Sequence, residues 1–126
     1  TLEWVEKKLI ANSIHFPKEK PDNLLNLCST GNPRALVEIF DVNNQDMYVD
    51  LDVIAEKKAK LVIVTGDCDP AHPKETDQLL YNLFEKHIST KFLWLPDYGH
   101  TGHGHMFPME SNSTSVLELA LKSISK

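Results

Sequence analysis

The sequence lacks the marks of several protein classes. Its only two cysteines, Cys28 and Cys68, are too few for a disulfide framework, so we favour two free thiols over a single bridge. No apolar run approaches the roughly 20 residues of a membrane span. The net charge of −5 argues against the clustered Lys and Arg of a nucleic-acid-binding surface. The composition is that of a soluble globular protein, and it does not distinguish a cytoplasmic from a secreted location.

Residues of the types found in functional sites are concentrated near the end of the chain, where residues 99–105 read Gly-His-Thr-Gly-His-Gly-His. Histidine changes charge near neutral pH and serves as a base, an acid or a metal ligand. Glycine allows the backbone to approach a ligand closely or to take a positive φ. This combination predicts a functional site in residues 96–112, which we call the histidine loop.

The pattern from Lys60 onward predicts a β-α-β unit with a closing helix. The continuous apolar run Leu61–Val64 is typical of a parallel strand that is covered on both faces. An amphipathic helix over about 73–88 follows, then a second strand at Phe92–Leu95 and a last helix from Ser113. We therefore divide the chain into a helical and irregular region, 1–59, and an α/β region, 60–126.

Two strands are too few for a sheet of this kind. A parallel sheet normally has several strands, and the first half of the sequence offers no further convincing one. We expect the chain to be the C-terminal part of a larger α/β domain. Another chain, or a portion removed during processing, would then complete the sheet, and Thr1 would mark where a longer polypeptide was cut.

Two motifs follow the predicted strands. Gly66-Asp67-Cys68-Asp69 comes directly after the first strand, and Gly104-His105-Met106 lies in the histidine loop after the second. In this order the segment 61–126 resembles the end of an α/β-hydrolase. The local likeness is to esterases whose catalytic histidine lies in a Gly-rich loop that ends in His-Met.

The resemblance implies a function and a set of site residues. His105 would be the catalytic histidine, and Asp69 the acid of the triad unless that acid lies in the missing portion. His100, His103, Tyr98 and Met106 would contact the substrate, a small ester or a related carbonyl compound. Residues 1–59 would form part of a lid, and no cofactor is implied.

The chain departs from the family in lacking the nucleophile elbow Gly-x-Ser-x-Gly. We therefore expect the serine on an N-terminal portion of the same protein, present as a separate chain. Neither a nucleic acid nor a membrane span is expected among the partners.

Three other interpretations stay open from the sequence. His100, His103 and His105, with Asp97 nearby, could hold a metal ion, although their spacing matches no motif of defined geometry. The chain could also belong to a relative that runs lyase or isomerase chemistry, or to a non-catalytic binding subunit, because a fold does not fix a function.

Overall fold

A computed structural model describes residues 3, 7, 10, 12–17 and 50–125 of the chain. The predicted region 1–59 therefore lies largely outside the described residues, as does Cys28. The elements run in the order α1 (Leu51–Glu56), β1 (Lys60–Thr65), α2 (Lys74–Phe84), β2 (Ser89–Trp94) and α3 (Ser113–Ile124). Two 3-10 turns, Leu95–Tyr98 and Phe107–Met109, lie between β2 and α3.

The two strands form a parallel sheet, as the sequence predicts. Ile63 lies opposite Phe92 and Val64 opposite Leu93, and helix α2 makes the crossover that a parallel pair requires. Helices α2 and α3 both pack on the strands. The architecture is thus a small α/β unit with a two-stranded parallel sheet and flanking helices, which confirms the predicted fold class at this level.

The ends of the elements differ from the predictions by a few residues. Strand β2 stops at Trp94 instead of Leu95, because Pro96 cannot donate to a strand partner and the chain turns there. Helix α2 ends at Phe84 rather than near Ile88. The Phe84 carbonyl accepts the backbone N–H groups of both His87 and Ile88, which tightens the last turn before β2 begins.

The buried core lies between the sheet and α3. Leu93, Leu95 and Val116 have almost no exposed surface, and Thr65 closes the end of β1 beside them. A second, smaller apolar cluster forms where Phe16 packs against Ile10, Met106 and Met109. This cluster joins the N-terminal segment to the histidine loop.

Much of the apolar surface in the described part of the chain is not covered. Among the described residues β1 pairs only with β2, along one edge, and its apolar run is half-buried instead of fully buried. Leu79, Leu80 and Leu83 on α2 are exposed. An open apolar cavity of about 220 Å³ lies between Val64 and helix α3.

None of the described helices is long and apolar enough to cross a bilayer.

Leu95→Ala should lower the free energy of unfolding by about 2–5 kcal/mol, because it leaves a cavity at a site with 0% exposure. Leu79→Ala is the matched control. Since Leu79 is 70% exposed, its truncation should change stability by no more than about 0.5 kcal/mol. Urea denaturation followed by far-UV circular dichroism measures both, and equal losses would contradict the core described above.

Candidate functional site

Two loops meet at the carboxyl end of the sheet. One is the acid loop, residues 66–73, which follows β1, and the other is the histidine loop, which follows β2. Asp67 Oδ1 accepts the backbone N–H groups of Gly102 at 2.7 Å and His103 at 3.1 Å. The Cys68 N–H donates to the His103 carbonyl at 2.9 Å. Strands of a parallel sheet present their carboxyl ends at one edge, which is why these loops can bond to each other.

Gly66 makes this close approach possible. A Cβ atom at this position would lie 2.4 Å from the His103 carbonyl oxygen and 2.9 Å from the His103 Cβ. Both distances are far below a van der Waals contact. The packing of one loop against the other therefore requires a glycine at the first position of the Gly66-Asp67-Cys68-Asp69 motif.

The side chains of Asp69 and His105 are in contact. Asp69 Oδ2 lies 3.0 Å from His105 Nδ1, while Asp69 Oδ1 accepts the N–H groups of Ala71 at 2.8 Å and His72 at 3.2 Å. The carboxylate is 8% exposed and the imidazole 30% exposed. A carboxylate with both oxygens engaged holds its own position, so it can fix the ring of His105 and favour a hydrogen on Nδ1.

A second His–Asp pair lies beside the first. His72 Nδ1 is 3.1 Å from Asp77 Oδ1, and the Thr65 hydroxyl donates to Asp77 Oδ2 at 2.6 Å. The ring of His72 stacks on the ring of His105, with centroids 5.2 Å apart and planes 17° apart. The two pairs thus form one continuous surface of two imidazoles backed by two carboxylates.

His103 takes part in a separate, buried network. Its Nδ1 donates to Glu110 Oε2 at 2.5 Å, and neither side chain has exposed surface. Glu110 Oε1 accepts the Gly104 N–H at 2.9 Å and the Ser13 hydroxyl. Asn112 Nδ2 lies 3.2 Å from His103 Nε2, so both ring nitrogens have neighbours. This geometry favours a structural role for His103 over the predicted contact with substrate.

The N-terminal segment 12–17 is bonded to the histidine loop. The Ile14 N–H donates to the Gly102 carbonyl at 3.0 Å, and His15 Nε2 donates to the Thr101 carbonyl at 2.7 Å. Gly102 has a φ of +80°, and a Cβ there would lie 2.4 Å from Ile14 Cγ1. A glycine is needed at this position for both reasons.

Ser13, His103 and Glu110 have the residue types of a catalytic triad but not its order. In a triad the serine bonds to the histidine, which removes its proton, and the acid contacts only the histidine. Here the Ser13 hydroxyl donates to Glu110 instead. The histidine is therefore not arranged to take a proton from Ser13, and this cluster is no self-contained hydrolase site.

The other predicted substrate contacts lie in different surroundings. Tyr98 is half exposed at the end of its 3-10 turn, and the His100 ring is 6.0 Å from that of His103. Met106 packs in the apolar cluster around Phe16. The structure thus brings His105 and Asp69 together, whereas His103 lies in a buried hydrogen-bond network and Met106 in an apolar cluster.

The residues described here do not include a group of three or more His, Cys, Asp or Glu side chains arranged to hold a metal ion. The two nitrogens of His103 already have protein neighbours, and Nδ1 of His105 faces Asp69. The geometry of the histidine loop therefore gives no support to the metal interpretation.

Several residues of the site were not foreseen from the sequence. Nothing in the local sequence marks Glu110, Asp77, His72 or Ser13 as members of one site. Asp77 is separated from Thr65 by 12 positions, and Ser13 from Glu110 by 97. No spacing rule connects them.

No protein-family model, no curated protein and no solved structure matches this chain. The resemblance to α/β-hydrolases therefore depends on the motif residues, and any functional argument must come from the geometry of the site.

Glu110→Gln should destabilise the protein by about 3 kcal/mol, because an amide group would face buried donors that now bond to a carboxylate. Glu118→Gln is the matched control, since Glu118 pairs with Lys122 on the exposed surface of α3. Its effect should stay within about 0.5 kcal/mol. Urea denaturation measures both variants, and a neutral Glu110→Gln would refute the structural role of the network.

Cys68 should react slowly with alkylating reagents. Partial burial, and then the negative charges of Asp67 and Glu110, raise the pKa of its thiol. Because only the thiolate reacts, the folded protein should need a higher pH than the urea-unfolded protein for the same rate. Iodoacetamide labelling of a Cys28→Ser variant, followed by mass spectrometry, tests this. Identical pH–rate profiles for the two states would contradict it.

Proposed function

We propose that this chain supplies the histidine and the acid of a Ser-His-acid triad in an esterase of the α/β-hydrolase kind. The observation that carries the proposal is the 3.0 Å contact between Asp69 Oδ2 and His105 Nδ1, made by loops after two adjacent parallel strands. The acid is nearly buried, and the imidazole is exposed enough to meet a group from outside. A base and its orienting acid have this arrangement in serine hydrolases.

In the proposed mechanism His105 carries two protons, one in each half of the reaction. Nε2 of His105 takes the proton of the serine hydroxyl as its oxygen attacks the ester carbonyl, and passes it to the leaving alcohol. Nε2 then takes a proton from a water molecule that attacks the acyl-enzyme, and returns it to the serine as the acid product leaves. Asp69 keeps the hydrogen on Nδ1 throughout. No cofactor takes part.

The serine is proposed to lie on an N-terminal portion of the same protein, present as a separate chain. Two observations support this. The sequence has no Gly-x-Ser-x-Gly motif, and the Ser13 hydroxyl is bonded to Glu110. The open edge of β1 and the uncovered leucines of α2 in the described part of the chain would then be covered by that portion, which would complete the sheet.

A fluorophosphonate probe tests the proposal, because it reacts with a serine only when a triad activates it. The native protein is incubated with the probe and analysed by intact mass spectrometry. We expect a co-purifying larger chain to take up the label. His105→Ala and Asp69→Asn should each slow labelling by about 10³-fold or more.

His87→Ala is the matched control, since His87 also lies near a carboxylate, Asp52, at 3.4 Å, and precedes β2, whereas the histidine loop follows it. Its labelling rate should equal that of the native protein. If the sample holds only the 126-residue chain, folded and unlabelled, the proposed function is wrong. Labelling that survives Asp69→Asn would move the acid role to another residue.

A further inference from the structure

His105 needs more than one contact to hold its ring. The torsion that turns an imidazole about its Cβ–Cγ bond has a broad, roughly two-fold profile, so a single hydrogen bond leaves other orientations accessible. Among the described residues, the His105 ring has one side-chain hydrogen bond, between its Nδ1 and Asp69 Oδ2. The ring is also 30% exposed, so its surroundings restrain it only in part.

The ring of His72 supplies the second contact. Its plane lies 17° from that of His105, with the centroids 5.2 Å apart, which is an offset-stacked arrangement. Rotation of His105 about its Cβ–Cγ bond would lose this stacking contact. Stacking therefore restrains the same motion that the hydrogen bond to Asp69 leaves partly free.

His72 is itself held at two points, although its side chain is 52% exposed. Its backbone N–H donates to Asp69 Oδ1 at 3.2 Å, and its Nδ1 lies 3.1 Å from Asp77 Oδ1. The other oxygen of Asp77 accepts the hydroxyl of the buried Thr65. Asp77 is 4% exposed and lies on helix α2, so the anchor of His72 is part of the folded core.

We propose that His72 is a positioning residue for His105. It sets the plane of the His105 ring by stacking, so that Nδ1 stays on Asp69 and Nε2 keeps one direction. Asp77 bonds to the buried Thr65 and to His72, and so keeps His72 in a fixed position relative to the core. The catalytic meaning of this role rests on the proposed function, but the restraint on His105 does not.

The test is the tautomer of His105, read from the ¹⁵N shifts of its two ring nitrogens in the full-length chain. A mildly alkaline buffer is used, in which free imidazole is neutral. We expect the native protein to hold the hydrogen on Nδ1. His72→Ala should lower the ratio of this tautomer to the other by about fivefold, because the variant loses the stabilisation that one aromatic contact contributes.

His72→Phe separates positioning from general damage to the loop, because it keeps a flat ring and loses the bond to Asp77. It should restore most of the native ratio. Asp77→Asn leaves His72 in place with a weaker anchor and should give an intermediate value. His87→Ala is the control that should leave the ratio unchanged. If His72→Ala unfolds the chain, the Phe and Asn variants still decide the question.

A native ratio in His72→Ala or in Asp77→Asn would overturn the proposal, and so would a ratio in His72→Phe that falls as low as the one expected for His72→Ala. The outcome is independent of the probe experiment above. If the probe labels nothing while the tautomer responds to His72, the proposed function fails and the positioning role stands. If the probe labels a serine while the tautomer ignores His72, the positioning role alone fails.

Discussion

Glu110 is a buried carboxylate that accepts hydrogen bonds from three places: the Ser13 hydroxyl, the Gly104 N–H and the ring of His103. A carboxylate without exposed surface is tolerated only when such donors replace the water it has lost. These bonds connect the N-terminal segment to the histidine loop. The loop therefore has a defined course, although it contains three glycines and little regular structure. The arrangement of every other group in the site depends on that course.

The course of the loop sends two nearby histidines in different directions. His103 points inward to Glu110 and is completely buried, whereas His105 points toward Asp69 and keeps part of its ring exposed. The intervening Gly104 bonds to Glu110 through its N–H. His103 thus holds the loop, whereas part of the His105 ring is accessible from outside. If His105 is the base that we propose, the buried network beside it would keep it in one position.

The uncovered surfaces and the proposed function both favour a further portion of the protein that would pair with β1 and carry the proposed serine. Strand β1 has the apolar composition of an interior strand, yet among the described residues it has a partner on one edge only. The loops at the carboxyl end of this sheet bring His105 and Asp69 into contact, and the sequence has no nucleophile elbow. A portion that paired with β1 would lie next to the acid loop. The proposed serine would therefore enter from the side on which the sheet is open.

The α/β character of 60–126 could be predicted from local patterns alone. A continuous apolar run at Leu61–Val64 and a proline at the end of β2 act within a few residues, and the helices α2 and α3 follow from their amphipathic periodicity. The resemblance to α/β-hydrolases singled out Asp69 and His105, and parallel strands were expected to bring the two loops to one edge of the sheet. Their catalytic role stays a prediction.

The partners of the other side chains could not be read from the sequence. Which histidine is buried depends on Glu110 and Ser13, and Ser13 is 97 positions from Glu110. The stacking of His72 on His105 depends on how two loops pack at the sheet edge. Hydrogen bonds and ring contacts act over a few ångströms in space, whatever the separation along the chain. Local patterns therefore specify the strands and helices, while the folded chain alone specifies which polar groups meet.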